Sequence, residues 1–129
     1  MEAWQMHEWF AEYLQACNRH DLDAVRAFVD PAVRRAHLPG GADAFIDDLA
    51  DLLHGFPDWQ WRSIQVIVED DRLAAHLRGS GTHTGPYRGL APTRRRVNVA
   101  EFAMYRVARG LIVAATGTGD AELRQQLRD

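Results

Sequence analysis

The chain has 129 residues, 47% hydrophobic and 26% charged, which fits one soluble domain that buries roughly two-thirds of its unfolded surface and has room for a small-molecule cavity. Lys+Arg 15 against Asp+Glu 18 leave a net charge of −3, no field for collecting nucleic acid or an anionic membrane, and no apolar run approaches the ~20 residues of a bilayer span. Met1-Glu2-Ala3-Trp4 lacks the basic and apolar regions of a secretory signal, which makes the cytoplasm the expected location, and Cys17, the only cysteine, can form no intrachain disulfide.

From Ala3 to Cys17, the residues Met6, Trp9, Phe10, Tyr13, Leu14 and Cys17 recur at three- and four-residue spacing and predict a helix buried along one stripe. Within that stripe Cys17 reads as a packed thiol. Asn18-Arg19-His20 interrupts the pattern, and Asp21 is placed to cap a second helix with Leu22, Val25, Phe28 and Val29 on one face, ended by Pro31. Val33 to Leu38 predicts a short strand and Pro39-Gly40-Gly41 a turn; Phe45, Ile46, Leu49, Leu52 and Leu53 predict a third helix with Gly55 as its C-terminal stop. Trp59 to Glu69 alternates as a strand whose parity changes between Ser63 and Ile64, the mark of a bulge. Asp70-Asp71 turns the chain into a strand from Leu73 to Thr84. After a long connection, Val97 to Val107, the Ala108-Arg109-Gly110 turn and Leu111 to Gly119 complete an antiparallel meander. Ala121 to Arg128 closes the chain as a short helix. The order α-α-β-α-β-β-β-β, without repeat or linker, is that of a single α+β domain over residues 1–129, with helices covering a strongly curved antiparallel sheet.

The connection reads Gly81-Thr82-His83-Thr84-Gly85-Pro86-Tyr87-Arg88-Gly89-Leu90-Ala91-Pro92-Thr93-Arg94-Arg95-Arg96-Val97. Its glycines and prolines forbid a helix and favour a long hairpin loop. The phrase G-T-H-T-G-x-[FY]-x-G-x-x-P-T-x-R-x-V, followed by a turn and a final strand, resembles the SnoaL-like polyketide cyclases of the NTF2-like superfamily, over Asn18 to Leu127. The resemblance implies a cone in which helices and the concave sheet face enclose a pocket open at one end. It implies a homodimer through the convex face, and acid/base chemistry on a polyketide-like ligand. It also implies a catalytic aspartate: the family's final strand tends to read I-x-E-x-W-x-x-x-D, which falls on Ile112, Ala114, Thr116 and Asp120. Ala114 and Thr116 depart from the family's glutamate and tryptophan, which implies a wider pocket or altered chemistry.

A carboxyl group in an apolar cavity has its charged form disfavoured; its pKa rises toward neutrality and it can shuttle the proton of an aldol-type closure. Asp120 also directly precedes Ala121-Glu122-Leu123, where an aspartate caps a helix, so catalysis and capping stand as alternatives. His83, if it faces inward, would polarise a substrate carbonyl or hold an enolate; otherwise it bonds loop backbone. His76 has the opposite strand parity. His37 falls where the family often has a histidine near the pocket mouth and is a second contact for a substrate oxygen. Glu101 shares its parity with Val97, Val99, Ala103 and Tyr105, so it is an inward functional carboxyl, a partner of an arginine such as Arg78, or a solvated outer-face residue, the reading preferred here. Trp59, Trp61, Phe56, Phe45 and Tyr105 offer surface for a planar ring, or core. Tyr87 at the loop tip is a lid or packs locally, and Arg78 and Thr116 complete the expected substrate-binding set.

The six histidines show no H-x-H or H-E-x-x-H spacing, so neither a metal nor another cofactor is expected. No G-x-S-x-G elbow or phosphate loop is present, and Arg94-Arg95-Arg96 reads as a solvated strand edge. The expected function is cyclisation or isomerisation of a hydrophobic, oxygenated small molecule, with Asp120 exchanging the proton and His83 and His37 holding oxygen. Epoxide opening by Asp120 with Glu101, and non-catalytic binding of a hydrophobic ligand, are the competing readings.

Overall fold

The apolar stripe ending at Cys17 becomes helix α1 (Ala3–Asn18) in the computed structural model, which describes residues 1–36 and 38–128. Met6, Trp9, Phe10, Tyr13 and Cys17 are all buried, and the Gln5 side chain accepts the Glu2 N–H at 2.7 Å to close the first turn. At the other end Asn18 stands in for a neighbouring strand: its amide donates to the Trp61 carbonyl at 2.9 Å and accepts the Trp61 N–H at 2.7 Å. The His20 ring lies 2.6 Å from the Trp59 carbonyl.

Asp21 caps α2 (Leu22–Arg26), accepting the Ala24 N–H at 3.1 Å. The helix ends there and not at Pro31. Phe28 and Val29 have left its face, and Pro31 lies inside β1 (Val29–Arg34), several residues before the strand predicted at Val33 to Leu38. Proline is tolerated because β1 is an edge strand, where a missing N–H can cost no ladder bond. Helix α3 (Gly41–Gly55) follows the Gly40 turn. Gly55 is its last residue, not a left-handed stop beyond it. A Cβ there would lie 2.7 Å from the Cβ of Tyr87, so the glycine serves a close approach of the later loop.

The predicted meander is present as β2 (Gln60–Glu69), β3 (Arg72–Thr82), β4 (Arg96–Ala108) and β5 (Leu111–Gly117), and β1 adds to it by pairing parallel to β5. The order across the sheet is β1-β5-β4-β3-β2. The register shifts between Ser63 and Gln65, where the parity change predicts a bulge. Leu73, Ala75 and Leu77 on β3 and Val97, Val99, Ala103, Tyr105 and Val107 on β4 turn inward, while Phe102 and Met104 remain exposed on the convex face.

Strand β5 pairs only with the Ala103–Ala108 half of β4, which leaves the first half of β4 as an open edge. Helix α4 (Asp120–Arg128) closes it. Gln126 accepts the Asn98 N–H at 3.0 Å and donates to the Asn98 carbonyl at 2.9 Å, and Glu122 accepts the Ala100 N–H at 3.2 Å. Side chains thereby do what a sixth strand would do for these backbone groups, while Leu123 and Leu127 are buried beneath.

The Trp59 ring, 3% exposed, occupies the space that a side chain on Gly79 of β3 would fill. Gly79→Ala should therefore cost about 1–3 kcal/mol by overpacking against a rigid ring, measured by urea unfolding; a loss near zero would mean that Trp59 is free to retreat.

Candidate functional site

The loop phrase owes its residues to one docking event. His83 is fully buried, with its ring stacked on Phe56 at 5.1 Å between centroids. Its Nδ1 accepts the Thr93 N–H at 3.2 Å, which leaves the ring proton on Nε2, and the Thr93 hydroxyl lies 3.0 Å from the same nitrogen. Nε2 has no partner among the described residues. The main chain pairs across the loop base, His83 N–H to the Arg95 carbonyl and Arg94 N–H to the His83 carbonyl, both at 2.9 Å. The Gly55 carbonyl at the end of α3 accepts the N–H groups of Thr84 and Gly85 at 3.1 Å each. A Cβ on Gly85 would run into the His54 carbonyl, so the second glycine of the phrase permits this contact. Beyond it Tyr87 is buried against Phe56, and Arg88 follows at φ 45°.

The loop, α1, α3, α4 and the concave face of the sheet together line a cavity of about 400 Å³, of a size that holds a small organic molecule. Glu101 enters it from the middle of β4, paired in register with the inward Leu77. The carboxyl is largely withdrawn from water, and burial raises its pKa from 4.5 to about 7, opposed by the Trp61 indole. Tyr13 and Cys17 of α1 and Tyr105 of β4 are its cavity neighbours. Burial pushes both phenols far above their ordinary range and the thiol up to about 12, with the nearby Glu101 charge adding to each shift. At neutral pH these three groups are uncharged hydrogen-bond donors, and Cys17 is no nucleophile.

Ion pairs sit at the rim. Arg35 pairs with Asp48 at 2.7 Å, and Arg88 stands 3.7 Å from Asp48 and 3.6 Å from Asp120. Asp120, the first residue of α4, is half-exposed and reaches Arg124 at 3.1 Å. Among the described residues its carboxylate accepts no amide of the helix; it faces the two guanidinium groups.

Trp59, Tyr105, Phe45, Tyr87, Glu101 and Asp120 therefore border one cavity. The preferred outer-face reading of Glu101 is corrected, because β4 keeps strict alternation through this position. Arg78 is corrected as well: it lies on the convex face and donates to Asn98 at 3.0 Å, with no access to Glu101 or to the cavity. His83 does not line the cavity but holds the loop, the alternative left open for it. His76 stacks on Phe102 outside at 4.5 Å. His37 lies outside the described residues. Thr116 borders the rim, yet its register partner is Met104, a convex-face residue, and Ala114 pairs with Arg106 on that same face. Ala115 and Gly117 are the residues of β5 that face Tyr105 and Ala103, so the departures at Ala114 and Thr116 do not widen the pocket. A bulge between Arg106 and Val107 sets this parity. Trp61, read as surface for a planar ring, borders the cavity, whereas Tyr13, Arg35, Asp48 and Arg88 went unread as site residues. Tyr13 belongs to an apolar helix stripe, and nothing in a stripe separates a cavity wall from a packed core.

The family model for SnoaL-like polyketide cyclases matches residues 8–127. Among solved structures, a SnoaL-like polyketide cyclase from Agrobacterium tumefaciens is 24% identical with a TM-score of 0.81, covering 94% of this chain and 96% of its own. TsrD from Streptomyces laurentii is 20% identical with a TM-score of 0.87, covering 98% and 97%. AclR from Streptomyces galilaeus is 23% identical with a TM-score of 0.86, covering 96% and 81%. At these identities the structures show a shared fold. Comparison with curated protein sequences finds no significant match.

The raised Glu101 pKa has a stability consequence of defined sign. The folded state holds this proton up to about pH 7 while the unfolded chain releases it near 4.5, so stability is lost as pH rises through that window. Relative to Glu101→Gln, which has no proton to release, the native protein should lose up to about 3 kcal/mol between about pH 5 and about pH 8. Urea unfolding of both proteins across that range measures the difference; parallel curves would show a solvated carboxyl.

Proposed function

We propose, from the premise that this chain belongs to the SnoaL-like polyketide cyclase family, that it catalyses cyclisation or isomerisation of a hydrophobic, oxygenated small molecule by proton transfer, with Glu101 as the group that carries the proton. The observation that carries this reading is a single carboxyl group projecting from the middle of β4 into an apolar cavity, with its pKa shifted to about 7. A group that titrates near the working pH is both available as a base and able to return what it takes. In an aldol-type closure the Glu101 carboxylate removes a proton from a carbon next to a carbonyl. The resulting enolate carbon attacks a second carbonyl carbon, and the alkoxide formed takes the proton back from Glu101.

Asp120, first choice from the sequence, takes a different role here. Two guanidinium groups, those of Arg88 at 3.6 Å and Arg124 at 3.1 Å, engage it at the rim, which suits it to hold Arg88 over the opening. Trp59, Phe45 and Tyr87 supply the apolar wall on which a ring rests. The working unit is proposed to be a homodimer through the convex face, where Ile64 and Ile67 of β2 and Phe102 and Met104 of β4, on either side of β3, expose 46–57% of their surface. Phe102→Glu should shift the protein to the monomer in size-exclusion chromatography with light scattering; an unchanged mass would remove this face from consideration.

Exchange of an acidic C–H for deuterium, followed by NMR on an aryl-substituted β-diketone in deuterated water, reads proton abstraction without knowledge of the natural substrate. Glu101→Gln should slow exchange by at least about 100-fold, and the native rate should climb as pH rises through about 7. Asp120→Asn should retain the rate to within about fivefold, the scale of one exposed ion pair. The opposite pattern would return the proton to Asp120, and exchange unaffected by either change would leave a ligand-binding module.

A further inference from the structure

We propose that the hydroxyls of Tyr13 and Tyr105 and the carboxyl of Glu101 form a cradle for one ligand oxygen, so that the cavity holds a planar ring by an enolic or phenolic oxygen turned inward, away from the charged rim. This deepens the acid/base reading and shares Glu101 with it, but it concerns binding and stands or falls separately.

The placement follows from the register. Glu101 and Tyr105 are alternate inward positions of β4 with only Ala103 between them, and Tyr13 descends onto them from α1, its ring 5.9 Å from that of Tyr105 at 67°. All three side chains line the same cavity. Among the described residues none of them is an ion-pair partner of an arginine, whereas the rim carboxylates Asp48 and Asp120 each have two such contacts. The inner pole thus offers protons, and a ligand atom that gathers negative charge is what such a pole stabilises. Burial holds the two phenols protonated, so each remains a donor throughout the working pH range.

The shape of the floor argues for a flat ligand. Ala115 of β5 lies opposite Tyr105 and Gly117 lies opposite Ala103, and all three small residues border the cavity. Adjacent small side chains on two paired strands leave a shallow, even surface beside the donors, with Trp61 and Phe45 also bordering the space. A ring lying on that floor directs an edge substituent toward the tyrosines, while its far edge faces Arg35 and Arg88.

Binding of β-naphthol and of naphthalene, each followed by fluorescence titration, isolates the oxygen. The native protein should bind β-naphthol at least about tenfold more tightly than naphthalene. Tyr13→Phe and Tyr105→Phe should each reduce that preference by about fivefold while leaving naphthalene affinity within about twofold, which also reports that the variants are folded. A preference unchanged in both variants overturns the cradle, as does a native protein that binds the two compounds equally or takes up neither. Loss of proton exchange in Glu101→Gln with the tyrosine variants unaltered would leave the acid/base reading intact and the cradle refuted. A tyrosine-dependent preference without any proton exchange would do the reverse.

Discussion

The cavity depends on a buried imidazole that does not itself line it. A loop running from residue 83 to residue 95 must satisfy its backbone groups or stay in solvent. His83 solves this by accepting the Thr93 N–H at its Nδ1, while the Thr93 hydroxyl in turn accepts the Arg95 N–H at 3.2 Å. That closes the loop base, stacks the ring on Phe56 and brings Thr84 and Gly85 onto the free carbonyl of Gly55. Tyr87 and Arg88 arrive at the cavity only because this junction is fixed. The same junction accounts for Nε2, which has no partner among the described residues: the ring is stacked on Phe56 and held at Nδ1 by Thr93, and it cannot turn without giving up Thr93.

Around this junction the fold repeatedly trades a glycine for an aromatic ring. Gly79 yields its side-chain volume to Trp59, and Gly55 yields to Tyr87. Glycine in a strand or helix costs about 0.5–1 kcal/mol in backbone entropy, whereas full burial of a large apolar side chain is worth roughly 1.5–3 kcal/mol, so each exchange favours the folded state. It also leaves rigid rings as walls. A wall of that kind keeps its shape when the cavity is empty, whereas flexible side chains would collapse into the space.

Much of the element order was legible because periodicity and turn chemistry report local structure. The α1 stripe, the Asp21 cap, the bulge after Ser63 and the turns at Asp70 and Gly110 all appear within a few residues of their expected positions. The site was less legible, for two physical reasons. Facing on a strand is decided by its register with neighbours, and a bulge between Arg106 and Val107 reverses the parity that would otherwise carry Ala114 and Thr116 into the cavity. Strict alternation on β4 did imply that Glu101 shares a face with Val99 and Tyr105, yet the rarity of buried carboxylates argued for the outside. Alternation was the stronger guide, since a strand cannot turn one residue outward without a bulge to absorb it. Tyr13 was invisible as a site residue because a stripe shows only which side is buried.

The two ends of the cavity are electrically distinct, and this follows from where the protein could place charge at all. At the rim, Arg35, Asp48, Arg88 and Asp120 pair with one another at the edge of solvent. Deeper in, an unpaired carboxylate would carry a desolvation cost that no arginine is present to offset, so Glu101 holds its proton until about pH 7 and the phenols hold theirs far beyond. A ligand entering such a gradient meets formal charge first and neutral donors last. Negative charge developing on the ligand during proton transfer is then best placed at the inner end, where preorganised donors point at it in a water-poor medium. The physical requirement that makes Glu101 a poor ion makes the same pole a good receiver of transient charge.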